Sequence, residues 1–266
     1  MSLTISIIQH DIVWENKHAN FRKIEEKIAA LPPTELVLLP EMFSTGFTMN
    51  ASEFSEKSNG GTFEWMQQVA EKFRIVIAGS YIVEEDGKYY NRLICMLPNG
   101  SYGKYDKRHL FAYAGENKVY SSGKSRLIAS IKGYKINFQI CYDLRFPVWS
   151  RQQITLNKTG GIEPEYDLLI YLANWPEKRI SAWKTLLQAR AIENLSYCIG
   201  VNRVGNDGNE HYYSGDSMLV HPTGKIVYQQ SHKEDSFTFT LFKEELQEMR
   251  QKFGFLNDAD VFLIKT

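Results

Sequence analysis

Four segments of this chain read as predominantly apolar strands: residues 3–9, 36–39, 168–173 and 197–204. A strand with one wet face alternates polar and apolar side chains, so an unbroken apolar run belongs to a strand covered on both faces. Such runs favour sheet interiors, and helices on the outside would supply the second cover. Segments with helical spacing supply them. Asn20 to Leu31 places Phe21, Ile24 and Ile28 on one side and stops at Pro32-Pro33. Thr62 to Phe73 carries Phe63, Met66, Val69 or Ala70, and Phe73, while Ala182 to Leu195 and the shorter Val148 to Ile154 also read as helical. Hairpins are predicted around Glu85-Asp86-Gly87-Lys88, Lys132-Gly133 and Pro222-Thr223-Gly224. The pattern is α/β, with two mixed sheets face to face and helices outside them.

No Gly/Ser-rich linker or composition break divides the 266 residues, so a single domain over residues 1–266 is expected. The charged helical stretch from Lys243 to Phe255 ends in apolar Val261-Phe262-Leu263-Ile264, and a tail of this kind is expected to dock on the domain or on a partner subunit. Lys plus Arg (31) equals Asp plus Glu (31), which leaves no overall field to recruit nucleic acid or an anionic membrane. Cys95, Cys141 and Cys198 lack metal-type spacing and are odd in number, so reduced thiols are expected rather than a disulfide framework. The first residues show no basic leader, and no apolar run approaches the roughly 20 residues of a membrane span. The expectation is a soluble, cytoplasmic protein with no metal and no cofactor.

Three chemistry-bearing side chains fall at the carboxyl ends of strand-like segments, where α/β folds expose reactive groups. Cys141 follows Ile136-Asn137-Phe138-Gln139-Ile140, Glu41 closes Glu35-Leu36-Val37-Leu38-Leu39-Pro40, and Lys107 lies in Tyr105-Asp106-Lys107-Arg108-His109. Each admits a structural reading: a small buried hydrophobe, a capping or ion-paired carboxylate, a solvated turn. Polar and aromatic Tyr142, Asp143, Arg145 and Trp149 crowd in after Cys141, however, whereas Cys95 and Cys198 sit inside apolar strands. A free thiol titrates near 8.5, so a catalytic one needs a base or a positive field; Glu41 can be the base and Lys107 the field.

With these blocks in hand, the chain resembles the nitrilase superfamily, the carbon–nitrogen hydrolases with a Glu-Lys-Cys triad. Pro40-Glu41, Lys107-Arg108-His109-Leu110-Phe111 and Cys141-Tyr142-Asp143-Leu144-Arg145-Phe146-Pro147 match its three signature blocks in order. Ala114-Gly115-Glu116, Ala173-Asn174-Trp175-Pro176, Ala189 to Asn194 and Ser214-Gly215-Asp216-Ser217 match further, so the likeness runs from about residue 3 to about 240. The resemblance implies a four-layer α-β-β-α sandwich assembling as a homodimer. It also implies that Cys141 is the nucleophile, Glu41 the proton carrier, and Lys107 with the backbone N–H of Tyr142 the oxyanion donors. Glu116 would orient Lys107 or serve as a second base, and a plain ion pair is the alternative.

Within the superfamily the likeness is to the ω-amidase-like bacterial branch, which implies small ω-amides of dicarboxylates such as 2-oxoglutaramate and 2-oxosuccinamate. Arg145 and Asn174 would then supply polar contacts to substrate, and Phe43, Phe47 and Trp175 the walls. Arg145 could equally pair with Asp143. Arg190 and Asn194, beside an apolar helix stripe, read as structural. Other small amides or N-carbamoyl amines are the alternative substrates, and a non-catalytic binding module the alternative role.

Overall fold

The computed structural model describes residues 1–156 and 162–264. Its strands are β1 (Ser2–Gln9), β2 (Leu36–Leu38), β3 (Val76–Glu85), β4 (Lys88–Met96), β5 (Tyr102–Asp106), β6 (Leu127–Ile131), β7 (Tyr134–Ile140), β8 (Ile154–Leu156), β9 (Ile162–Pro164), β10 (Leu168–Leu172), β11 (Tyr197–Val201), β12 (Val204–Asn206), β13 (Tyr212–Val220), β14 (Ile226–Ser231) and β15 (Asp235–Phe242). The helices are α1 (Lys17–Ala29), α2 (Ala51–Phe54), α3 (Gly61–Phe73), α4 (Glu116–Val119), α5 (Pro147–Ser150), α6 (Ile180–Asn194) and α7 (Lys243–Phe253).

The first sheet runs β15-β1-β2-β3-β4-β5, and the second runs β12-β13-β11-β10-β7-β6 with β14 paired to β13. Parallel pairing joins β1, β2 and β3 in one and β7, β10 and β11 in the other, and hairpins fill the remaining places. The apolar runs lie in these parallel centres, as their lack of alternation requires. On the outer face of the first sheet, Ile8, Val37, Leu39, Ile77 and Ile94 pack against Ile24 and Ile28 of α1 and Trp65, Met66 and Val69 of α3. On its inner face, Leu3, Ile5, Ile7, Leu36, Leu38 and Leu93 meet Ile136, Phe138, Leu168 and Ile170 of the second sheet. Helix α6 covers that second sheet at β11 and β13. Gly200 of β11 permits the approach, since a Cβ there would lie 2.5 Å from both Leu187 and Trp183. Two mixed sheets with helices on their outer faces are therefore present, as the sequence predicts.

Local chemistry sets the element ends. Asn16 caps α1 by accepting from the Ala19 N–H. The β3–β4 and β6–β7 turns use Asp86-Gly87 (φ 53° and 71°) and Lys132-Gly133 (φ 47° and 80°), the left-handed pairs that tight hairpins need.

Three expectations need correction. The helix predicted over Val148 to Ile154 is only the single turn of α5. Gln152 instead donates to the Tyr166 and Asn194 carbonyls, and the chain leaves as β8. The strand predicted over 197–204 breaks after Val201, where buried Asn202 turns its side chain to the Trp175 and Gly215 carbonyls. Strands β5 and β15 were not foreseen; β15 pairs along the whole of β1. The charged tail forms α7, with Leu246 buried and Arg250 bonded to Asp167 at 3.0 Å. Among the described residues no helix is long and apolar enough to cross a membrane.

Candidate active site

Cys141 sits one residue past β7, with φ 45°. A β-carbon makes that left-handed conformation costly, on the order of 1–2 kcal/mol, so the surroundings must impose it. Asp143 does much of this. Its carboxylate accepts from the Ile140 N–H at 3.0 Å, the His109 N–H at 2.9 Å and the Tyr105 hydroxyl at 2.7 Å, and it meets His109 Nδ1 at 2.8 Å. Tyr105 and His109 flank Lys107, so one carboxylate pins both the thiol's turn and the ammonium's segment. Arg190 donates to the Leu144 carbonyl at 2.6 Å from the other side. It and Asn194, which accepts the Gln152 N–H, are structural, as expected.

Glu41 lies beyond β2, where the chain is still laced to β3: Leu39 donates to the Ala78 carbonyl, Met42 to Ser80 Oγ and Phe43 to the Ser80 carbonyl. Its Oε1 accepts from Lys107 Nζ at 2.8 Å and from Asn91 Nδ2 at 2.8 Å, and its Oε2 accepts the Asn174 N–H at 2.8 Å. Lys107 Nζ also donates to both oxygens of Glu116, at 3.0 and 2.9 Å. Glu116 is fixed in turn by the Phe111 N–H at 2.5 Å. Glu41 and Glu116 are fully buried and Lys107 nearly so. Cys141, 9 % exposed, is the member of the group that opens toward solvent. Its Sγ lies 3.7 Å from the Asn174 carbonyl oxygen, within reach of a weak S–H donation.

The electrostatics differ from the simple picture of a lysine field activating a thiol. One ammonium faces two carboxylates. Burial alone would pull Lys107 down, but the charges of Glu116 and Glu41 outweigh it and hold the ammonium protonated well above its usual range. Burial pushes the Glu116 carboxyl up, with Lys107 opposing and Glu41 adding to the rise. Burial, and then the Glu41 charge, push the Cys141 thiol well up; Lys107 opposes without prevailing. Burial and the nearby negative charge thus favour the Cys141 thiol over its thiolate.

A cavity of about 720 Å³ opens above Cys141, a size that suits a small ligand. Lys107, Tyr142, Phe47, Arg145, Asn174 and Trp175 all border it. Phe47 lies 5.1 Å beneath Lys107 Nζ, and Arg145 lies 4.9 Å over the Trp175 ring. Asp143 is taken up by other partners, so the alternative pairing of Arg145 with Asp143 does not occur. Asn174 is pulled inward, its Nδ2 bonded to the Glu41 carbonyl, and acts on Glu41 as much as on the cavity.

Phe43, predicted to wall the slot, does not. The left-handed Met42 (φ 44°) turns it back into the core, 5.5 Å from the Trp65 ring, over Gly79, where a Cβ would come within 2.6 Å of it. Sequence reasoning also missed Asn91, which reaches Glu41 and, at 3.4 Å, Glu116 from β4, and Arg179, which borders the cavity. Asn91 stands beside Arg92 in the polar half of its strand, so the sequence held little signal for the first. The charged Glu177-Lys178-Arg179 run after Pro176 gave none that separates a site residue from a solvated turn.

Residues 4–251 match the family model described as carbon-nitrogen hydrolase. The chain is 38 % identical to the ω-amidase YafV of Yersinia enterocolitica over 99 % of both chains. It is 30 % identical to the 2-oxoglutaramate amidase of Bacillus subtilis, over 97 % of this chain and 98 % of that one. Among solved structures, XC1258 of Xanthomonas campestris, a CN-hydrolase superfamily protein, superposes with a TM-score of 0.95 at 37 % identity over the full length of both. The match spans all the elements that carry Glu41, Lys107, Glu116 and Cys141, and the chain belongs to the carbon–nitrogen hydrolase family, enzymes that hydrolyse amide C–N bonds.

Proposed function

We propose that this enzyme is an ω-amidase that cleaves the terminal amide of small dicarboxylate monoamides, 2-oxoglutaramate and 2-oxosuccinamate among them, to the 2-oxo acid and ammonia. The observation that carries the reading is the Lys107 ammonium clasped by Glu41 and Glu116 at the floor of a cavity that holds both Cys141 and an unpaired Arg145. The names of the Yersinia and Bacillus relatives support the substrate class.

In this mechanism Cys141 Sγ attacks the amide carbon while Glu41 takes the thiol proton. The carbonyl oxygen becomes an oxyanion held by Lys107 and by the N–H of Tyr142, which lies in the first turn of a 3-10 segment and so has no intrahelical acceptor. One such donor is worth roughly 3–4 kcal/mol of transition-state stabilisation. As the C–N bond breaks, Glu41 passes its proton to the nitrogen and ammonia leaves. A water then gives its proton to Glu41 and attacks the thioester, releasing the acid and restoring the thiol. Glu116 keeps Lys107 aimed. Phe47 and Trp175 flank the substrate chain, Arg145 meets the distal carboxylate, and Asn174 holds Glu41.

The test is ammonia release across 2-oxoglutaramate, 2-oxosuccinamate, simple aliphatic amides and N-carbamoyl amines. Faster turnover of either of the last two classes would reject the substrate assignment. We further infer one catalytic domain over residues 1–266, with its tail held through Leu246 and Arg250, working as a cytoplasmic homodimer. Val148 and Ile192, 58 % and 52 % exposed on α5 and α6, suit burial against a second copy. A monomer mass by light scattering would exclude the dimer, separate unfolding transitions would exclude the single domain, and fractionation would check the compartment.

A further inference from the structure

We propose that Arg179 is a second cation for the acid head of the substrate and that, with Arg145, it selects 2-oxo acid amides against α-amino acid amides. This rests on the ω-amidase reading and assigns its specificity. The cavity is bordered by Lys107, Arg145 and Arg179. Lys107 is held by Glu41 and Glu116 beside Cys141, at the reacting end of the cavity rather than at the acid head. Neither arginine forms an ion pair among the described residues. Arg145 lies 4.9 Å over Trp175, and Arg179 lies 5.1 Å over Phe111 and 6.0 Å from Tyr113. A ring face steadies a guanidinium but uses none of its in-plane N–H donors, which stay available to a ligand.

Trp175 links the two cations. Its ring lies under Arg145, and its Nε1 donates to the Arg179 carbonyl at 2.8 Å. Phe111, the platform of Arg179, donates its N–H to Glu116. Both arginines are thus tied to the reacting cluster by short chains of contact.

Two donor-only groups define what fits. A 2-oxo acid head offers a carboxylate and a ketone oxygen, all acceptors, and a bidentate guanidinium suits the carboxylate. An α-amino acid head brings an ammonium, a cation with nothing to offer these arginines. Asp207 also borders the cavity and could in principle receive it. Its Oδ1, however, accepts the N–H groups of Asn209 and His211, and its Oδ2 accepts the Tyr213 hydroxyl. These bonds turn the Asp207 carboxylate into its own loop, where its side chain is only 4 % exposed and poorly placed to receive an ammonium.

The experiment compares wild type, R179Q and R179K on 2-oxoglutaramate, L-glutamine and butyramide, with the binding of 2-oxoglutarate to C141A and C141A/R179Q as a readout free of turnover. Loss of one charge-assisted contact predicts a fall of about 10- to 100-fold in kcat/KM for 2-oxoglutaramate in R179Q, mainly in KM. It predicts weaker 2-oxoglutarate binding to match and a smaller preference over glutamine. Butyramide, which has no acid head, should change by less than about threefold, and R179K should recover part of the loss. Equal losses on 2-oxoglutaramate and butyramide, or no loss on either, would overturn the assignment of Arg179 while a wild-type preference for 2-oxoglutaramate leaves the ω-amidase reading standing. A wild type that prefers butyramide to 2-oxoglutaramate would overturn both.

Discussion

Replacing Lys107 by Met leaves two carboxylates, Glu41 and Glu116, buried without their shared cation. At the observed 2.8 and 2.9 Å, each contact is worth about 6 kcal/mol of gross Coulomb energy at an effective dielectric of about 20. The protein need not forfeit that much, because a buried carboxylate can take up a proton. An unperturbed glutamate titrates near 4.3, so holding one protonated at pH 7 costs about 3.7 kcal/mol, or 2.7 pH units at about 1.36 kcal/mol each. Proton uptake therefore caps the destabilisation near 4 kcal/mol, inside the range of roughly 3–5 for a broken buried pair. The sign of the pH dependence follows. The folded variant holds one more proton than its unfolded chain, since burial raises the carboxyl. The contribution is intact below the unfolded value near 4.3 and is lost as pH rises toward the raised folded one. Urea denaturation of wild type and K107M at pH 5.5 and 7.5 should thus show the gap between them widening at the higher pH, by up to about 2.7 kcal/mol. If Lys107 is the oxyanion donor, turnover should fall by about 10²- to 10³-fold. A stability gap that does not change between those pH values would refute the shared-cation account.

Other expectations follow from the same contacts. Iodoacetamide should modify Cys141 in preference to Cys95, whose thiol burial pushes up to about 12, and Cys198, and the rate should climb through pH 9. A plateau near pH 6–7 would instead reveal a resting thiolate. D143N removes the acceptor shared by Ile140, His109 and Tyr105, each charge-assisted bond being worth about 1.5–3 kcal/mol. Its kcat should drop about 10- to 100-fold with KM little changed, and a change confined to KM would contradict a positioning role. G200A should destabilise by about 1–3 kcal/mol through overpacking against Trp183 and Leu187, read by thermal unfolding, with KM unchanged.

What the sequence made legible divides along physical lines. Continuous apolar runs report burial on both faces, and that property is local, so the parallel centres of both sheets could be read directly. Two strand ends could be read too, those before Glu41 and Cys141; Lys107 follows β5, which was not foreseen, and was singled out by its motif. Pairing between distant segments could not: β15 lies more than two hundred residues from β1, and its half-exposed pattern says nothing of its partner. The fate of Phe43 turned on one left-handed residue, Met42, which no side-chain pattern announces.

The charge balance of the site was hidden in part for the same reason. The resemblance already implied Glu116 beside Lys107; what the fold adds is that Glu41 shares the same ammonium, so that the net effect on the thiol is upward. That shift has a mechanistic consequence. In the proposed mechanism, a thiolate formed in advance by losing its proton to solvent would leave Glu41 without one to give to ammonia. A thiol that surrenders its proton to Glu41 only on attack loads the carboxylate with the proton that the leaving nitrogen requires. The excess of negative charge that holds the resting thiol protonated thus suits a two-step acyl transfer, because it times the proton to the step that needs it.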